Sequence, residues 1–246
     1  MVKDNFSDGS EHYALYRPQY PDAFYSYLFS LLPKKGRAWD AGTGNGQNAY
    51  RLAPEFREVY ATDISTNQLK HAIQRDNIFY SQQASEYTDF PSGYFDLCMV
   101  AQAIHWFDFE KYYQEVRRVA TPEGMICVLG YGTLNVEGKG NPVIQSFYER
   151  VVGPYWDKER RHIVTQYREI PFPFREIHVP NFTLEYYWDK ERIVAYINTW
   201  SSVKHFIRAN GYNPTVALKK ELSEIMNDTE SVRVFFPLLK RIGFVY

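Results

Sequence analysis

The sequence predicts an α/β fold in which helices cover both faces of a parallel sheet, and three observations carry that expectation. Short apolar runs recur along the first half of the chain, each separated from the next by a helix's worth of residues or less. The runs are rich in residues that suit a pleated surface. A glycine-dense turn, Gly42-Thr43-Gly44-Asn45-Gly46, follows the first run directly. Strands joined by single helices require right-handed crossovers, so the sheet is parallel and buried on both faces, a doubly wound arrangement.

Taken in order, RAWDA (37–41) is the first strand, ending at the glycines, and REVYATD (57–63) is the second, with a helix between them. Ser65 can cap a helix through TNQLKHAIQRD, after which NIFYS (77–81) reads as the third strand and YFDLCMVAQ (94–102) as the fourth. Asp108 can cap the next helix, which sets Tyr112, Val116 and Val119 on one face before Pro122 stops it. GMICVLGYG (124–132) is a fifth strand. The second half is less regular. Residues 141–164 read as helical pieces interrupted by Gly153-Pro154, EIHVPNFTLEYYW (176–188) returns to a strand pattern, Asp189 caps a helix, Pro214 starts another, and SVRVFFPLL closes on an antiparallel strand.

A chain of 246 residues, 45% of them apolar, can bury one full core, and no linker, repeat or low-complexity tract divides it, so a single domain over 1–246 is expected. Lys and Arg are scattered and the net charge is −1, so no basic stripe is present for neutralising phosphates and nucleic acid is not expected as a partner. The first residues hold no apolar leader core, and no apolar run approaches the roughly 20 residues that span a bilayer, so a soluble protein without a membrane partner is expected. Cys98 and Cys127 each lie inside an apolar run, which suits buried reduced thiols better than a disulfide or a metal pair. A cytoplasmic setting and no metal site follow.

A glycine turn between the first strand and the first helix lets the backbone approach a ligand, and the helix N-terminus behind it offers free N–H groups. Asp63 follows Gly42 by about 20 residues, at the end of the second strand, where a carboxylate accepts hydrogen bonds from ribose hydroxyls. A nucleoside ligand is the chemical expectation; the alternative is a structural turn with an Asp that caps the next helix. The dinucleotide fingerprint wants a small residue at position 47, where Gln47 stands, and a phosphate loop wants Lys and then Ser or Thr after its last glycine, where Gln47 and Asn48 stand. The nicotinamide reading loses ground and nucleoside triphosphate hydrolysis is excluded.

WDAGTGNG resembles the acid-x-Gly-x-Gly-x-Gly motif of class I S-adenosylmethionine-dependent methyltransferases, and ATDIS, FDLCMVAQAIHWFD and TPEGMICVLGYG continue the resemblance in the family's order and spacing. AQAIHWFD (101–108), YALYRPQYP (13–21) and TWSSVKHF (199–206) look more specifically like the subgroup containing trans-aconitate methyltransferase and related small-molecule enzymes. The resemblance implies a mostly parallel, seven-stranded Rossmann-like sheet with helices on both faces and a helical cap. It divides the domain into N-terminal lid helices (1–35), a cofactor-binding core (36–132), and a helical cap insertion with C-terminal strands (133–246). S-adenosyl-L-methionine is the implied cofactor and S-adenosyl-L-homocysteine its product.

By the same resemblance, Gly42, Gly44 and Gly46 pass under the methionine moiety, Asp40 is oriented toward its ammonium directly or through water, Asp63 holds the ribose hydroxyls, and Ile64 packs on the adenine. Members of the family often place an acid before a small residue at the adenine edge; here Gln83 precedes Ala84, and Ala84 and Ser85 are the best choices for that contact. Ala101 and Gln102 lie beside the methionine end or simply pack at the strand end. Tyr13 and Tyr16 complete a lid over the pocket, or belong to the core. Arg17, kept out of helical backbone by Pro18, can clamp a carboxylate of cofactor or acceptor by two parallel bonds, or pair with a local acid.

Methyl transfer from a sulfonium is an in-line displacement that rests on holding nucleophile, methyl and sulfur collinear in a dry pocket. An ionised carboxylate acceptor needs no general base, whereas a phenol or amine can use one. His105 is the titratable candidate at the end of the fourth strand, as a base or as a locally packed imidazole. Tyr148, Tyr155, Trp156, Trp200 and His205 are candidate acceptor contacts in an aromatic-rich cap. The expected enzyme methylates a small molecule, with a carboxylate the favoured acceptor, and acts as a monomer or weak homodimer. Two alternatives stay open: a nicotinamide-dependent oxidoreductase, and a cofactor-binding protein without transferase activity.

Overall fold

The computed structural model describes residues 16–227 and 231–246; the lid residue Tyr13 lies outside them. Helix α1 (Asp22–Leu31) leads into strand β1 (Arg37–Ala41). The chain then runs through α2 (Gln47–Leu52), β2 (Glu58–Asp63), α3 (Thr66–Lys70), β3 (Ile78–Gln82), β4 (Phe95–Ala101), α4 (Phe109–Val119) and β5 (Ala120–Tyr131). All neighbouring pairs among these five strands are parallel, and β1 lies between β2 and β4, so the winding direction reverses at β1. In an open parallel sheet that reversal opens a crevice at the carboxyl ends of the strands.

Strand β9 (Val232–Phe244) closes the sheet antiparallel to β5, from Met125 opposite Phe244 to Tyr131 opposite Leu238. Its other half pairs with β6 (Asn135–Val136) and β8 (Thr183–Trp188), and its far end with β7 (Arg175–Glu176). Seven strands lie in the order β3-β2-β1-β4-β5-β9-β6, with β7 and β8 also paired to β9. The mixed, Rossmann-like α/β sheet expected from the sequence is the one present. Between β6 and β9 the chain forms the cap: α5 (Gly140–Ser146), a wide π-helical turn (Phe147–Val151), two tight turns (Gly153–Tyr155 and Lys158–Arg160), α6 (Arg161–Val164), α7 (Lys190–Asn198), α8 (Ser201–Asn210) and α9 (Thr215–Ile225).

Four elements differ from the sequence expectation, each for a local reason. The helix capped by Ser65 stops at Lys70, since the Ile73 N–H donates to the Asn45 carbonyl of the glycine turn instead of continuing the helix. Pro122 does not stop α4, which ends at Val119; it sits inside β5, where the register against β4 shifts between Phe95 and Leu97 and no ladder donor is needed. The 176–188 run is two strands, because Pro180 offers no N–H midway. Helix α8 was not read from the sequence as a helix; Trp200, which has no capping side chain, precedes it.

Apolar side chains fill both faces of the sheet. One cluster joins α1, α2 and the cap helices to Leu97, Met99, Cys127 and Leu129, and the other joins α4 to Trp39, Cys98, Val100 and Val128. Cys98 and Cys127 are buried free thiols. Among the described residues no helix is long and apolar enough to cross a membrane, and no group of His, Cys, Asp or Glu is arranged to hold a metal ion.

Candidate active site

The turn after β1 carries the three glycines in left-handed backbone, with φ of 65° at Gly42, 58° at Gly44 and 81° at Gly46, a region that side chains with a Cβ adopt at a cost. Their surroundings separate their purposes. A Cβ on Gly42 would meet the Ala103 methyl at 2.8 Å, and one on Gly46, the residue preceding α2, would collide with the Tyr80 hydroxyl. A Cβ on Gly44 would meet nothing closer than Gln68 Oε1 at 3.9 Å, so Gly44 is the glycine that faces open space.

Two carboxylates brace this turn. Asp63 at the end of β2 accepts from the Gly44 N–H on one oxygen and the Ser65 N–H on the other, both at 2.8 Å. Asp40, at the end of β1 and wholly buried, accepts from Thr43 Oγ1 at 2.5 Å and Asn48 Nδ2 at 2.6 Å. Asn48 Oδ1 in turn accepts from the Tyr25 hydroxyl at 2.8 Å. Burial pushes the Asp40 carboxyl up to about 6, against the opposing pull of its Thr43 and Asn48 donors.

At the carboxyl ends of the strands lies a cavity of about 430 Å³. Arg17, Asp40, Gly42, Gly44 and Asp63 line it, as do Ile64, Ser85, Ala101 and Gln102. Ile64 leaves 39% of its surface exposed at the lip. Gln102 has φ of 57°, unusual for a residue with a side chain, and its amide is spent on β5: Oε1 accepts from the Tyr131 N–H at 2.8 Å and Nε2 donates to the Tyr131 carbonyl at 3.3 Å. The Tyr131 hydroxyl accepts from Arg17 Nη1 at 2.7 Å, and Arg17 Nη2 donates to the Thr199 carbonyl at 3.4 Å.

Four expected site residues lie elsewhere. Gly46 is turned against Tyr80, Ala84 forms a small bridge with Tyr87, and the Tyr16 ring lies under the Arg192 guanidinium at 4.7 Å. His105 sits in a tight turn, Ile104–Trp106, buried behind Trp106, whose ring it packs against at 5.0 Å. Burial, then the positive charges of Arg160, His162 and Arg17, pull its imidazole down to about 3. Of the cap candidates, Tyr148, Trp156 and Trp200 form one aromatic cluster with centroids 5.1–5.6 Å apart, and His205 Nδ1 lies 3.0 Å from the Tyr155 carbonyl oxygen.

Tyr131, Asn48 and Trp106 line the cavity without having been singled out in the sequence. Asn48 had a readable signal, a polar residue in the first turn behind the glycines. Tyr131 had none, because its role depends on an arginine 114 residues away in the chain.

Fold and site together define a nucleoside-binding α/β protein. A model of a methyltransferase domain matches residues 39–128. A Dictyostelium discoideum protein described as a methyltransferase is 30% identical over 243 residues, 96% of this chain and 92% of its own length. The solved structure of an Anaeromyxobacter dehalogenans protein, described as a type II methyltransferase, is 32% identical with a TM-score of 0.85 and covers 93% of this chain and 98% of that one. A Haemonchus contortus phosphoethanolamine N-methyltransferase, solved with S-adenosyl-L-methionine, shares the fold at 19% identity and a TM-score of 0.50, over 96% of this chain and 57% of that one. The chain belongs to the class I S-adenosylmethionine-dependent methyltransferases.

Proposed function

We propose that the enzyme methylates a small molecule bearing a carboxylate, and the observation that carries this reading is the Arg17 guanidinium, held at the cavity by Tyr131 and the Thr199 carbonyl. The cavity is of the size that small-molecule sites have. Its lining fits the cofactor's parts. Gly44 gives the methionine moiety room, and the buried Asp40 with Asn48 and Thr43 attracts its ammonium. Asp63, with about four acceptor positions on a carboxylate, takes the ribose hydroxyls while bracing the turn. Ile64 supports the adenine face, Ser85 meets its edge, and Ala101 and Gln102 border the methionine end.

When bound, S-adenosyl-L-methionine supplies a methyl group on a sulfonium. The chain's own part is to bind, orient and keep water out, which suffices for an in-line displacement. A carboxylate acceptor is ionised at neutral pH, and His105, neutral there and one ring behind the cavity wall at Trp106, has no proton to remove. Residues 1–35 act as lid, 36–132 as cofactor core and 133–246 as cap, and the enzyme works in the cytoplasm as a monomer or weak homodimer without nucleic acid. The resemblance of AQAIHWFD to the trans-aconitate subgroup supports the carboxylate.

A screen of carboxylic acids beside their matched amides, with radiolabelled cofactor, tests the reading. Label should enter base-labile methyl esters of acids and none of the amides. Turnover confined to hydroxyl or amine acceptors would overturn the carboxylate, and cofactor binding with no turnover of any acceptor would favour a binding protein.

A further inference from the structure

The segment over 153–167 crosses above the sheet from one face to the other: Trp156 packs with the first apolar cluster, Ile163 and Tyr167 with the second. Arg160 lies between them. Its guanidinium stacks on Trp156 at 4.4 Å and its Nε donates to the Tyr148 hydroxyl at 3.3 Å. The Lys158–Arg160 turn packs on the Ile104–Trp106 turn that holds His105, and the Arg160 charge reaches Tyr167 as well.

Tyr167 is the least expected residue of this roof. It is wholly buried, and it and Gln166 hold φ of 61° and 56°, two successive non-glycine residues in left-handed backbone. Such strain persists only where the surroundings impose it, and it gathers at ligand sites. The Tyr167 hydroxyl has no hydrogen-bond partner among the described residues, nor has His105 Nδ1, and the two rings lie 6.4 Å apart. A buried donor left without a partner is rare enough to require a reason. The hydroxyl's position supplies one. A Cβ on Gly130 would meet it at 2.6 Å and Gln102 Oε1 at 2.9 Å, so it abuts the seam where Gln102 and Tyr131 border the cavity.

We propose that the acceptor's carboxylate is held above the carboxyl ends of β4 and β5 by Arg160, the Tyr167 hydroxyl and His105 Nδ1, a subsite next to the cofactor cavity and distinct from it. A guanidinium with two neutral donors forms charge-assisted bonds to an anion and satisfies both orphaned groups at once. The basic groups acting on His105 are Arg160, Arg17 and His162, the last held below the usual imidazole range by burial. Two acids flank Arg160 in the same segment: Asp157 lies 3.9 Å from His205, and Glu159, whose Oε2 is buried without a hydrogen-bond partner among the described residues, acts on His162. Trp106, which lines the cavity and packs on His105, separates the cavity from these three groups.

This subsite rests on the carboxylate reading above, and the test separates the two. The full chain loaded with S-adenosylhomocysteine is titrated calorimetrically with benzoate, phenylacetate and succinate. At least one should bind, and Arg160→Gln should weaken it tenfold or more and Tyr167→Phe at least threefold, with S-adenosylhomocysteine affinity within twofold of the parent. Arg160→Lys, which keeps the charge but not the fork, should fall between. Should both Tyr167→Phe and Arg160→Lys bind the carboxylate like the parent while Arg17→Lys loses it, the subsite is wrong and the carboxylate reading stands. Should the loaded parent bind none of the three acids, both fall together.

Discussion

Gln102 and Tyr131 are joined by two hydrogen bonds, in which the side-chain amide of one residue pairs with the backbone N–H and carbonyl of the other, at 2.8 and 3.3 Å. The amide thus continues the β4–β5 ladder one step beyond Ala101, the last residue of β4, and fixes the ring whose hydroxyl receives Arg17. Gln102→Leu leaves the Tyr131 backbone groups short of partners where they are half-buried. Loss of about 1–3 kcal/mol of stability is expected in urea unfolding, together with slower turnover, because Tyr131 no longer holds Arg17 in place.

The glycines should separate by function. Gly46→Ala drives a Cβ into the Tyr80 hydroxyl and should lower stability strongly. Gly44→Ala meets only Gln68 Oε1, at an ordinary contact distance of 3.9 Å, and should lose only about 1–2 kcal/mol for its positive φ, while S-adenosylhomocysteine binding falls sharply. Thermal melts beside calorimetry distinguish the two; equal binding by Gly44→Ala and the parent would move the cofactor away from this turn.

Asp63→Ala removes a group proposed to hold ribose hydroxyls and also frees the Gly44 and Ser65 N–H groups it braces. S-adenosylhomocysteine should bind about 1.5–3 kcal/mol more weakly, the range for hydrogen bonds to a charged group. Unchanged affinity removes Asp63 from the site.

The sequence made the first half of the fold legible because its strands are bounded by local signals: glycines after Ala41, a capping Ser65, a capping Asp108. The carboxylates and Gly44 were legible for the same reason, being fixed by a short turn. What was hidden depends on distant pairing. Nothing near Gln102 announces that its amide is taken by Tyr131, nor that Thr199 meets Arg17 across 182 residues, and the sequence leaves His105 as a base or a packed imidazole without showing that Trp106 covers it. In the cap, α8 lacks a capping side chain, and the strain at Gln166 and Tyr167 has no glycine to mark it.

The Asp40 carboxyl gives the site a pH dependence with opposite signs for folding and for binding. Its folded-state value, about 6, stands above the unfolded value of about 3.9, so the native state holds more protons between those limits. Its contribution to stability is therefore full below about 4 and lost as pH rises through 6. The cofactor's ammonium favours the ionised carboxylate, so S-adenosylhomocysteine affinity should increase from pH 5 to pH 7. Calorimetry across that range should show proton release on binding, and Asp40→Asn should abolish it.

Arg17, at the cavity itself, is the competing anchor for the acceptor's carboxylate, and its variants decide between that placement and the subsite around Arg160. Its guanidinium reaches Tyr131 and Thr199 with two different nitrogens, a placement that a lysine's single ammonium cannot reproduce. If the arginine serves the acceptor, Arg17→Lys should lose most of the activity and keep S-adenosylhomocysteine affinity within about twofold. If it serves the cofactor's carboxylate, both fall together. The split between KM for the acceptor and kcat then says whether the lost interaction is made in the bound acceptor or only as the methyl moves: a raised KM with kcat kept marks uniform binding, and a lowered kcat marks alignment. Full activity in Arg17→Ala rejects both roles and would leave Arg17 as a strut between β5 and the cap, a role that a drop in melting temperature with unchanged kinetics would identify.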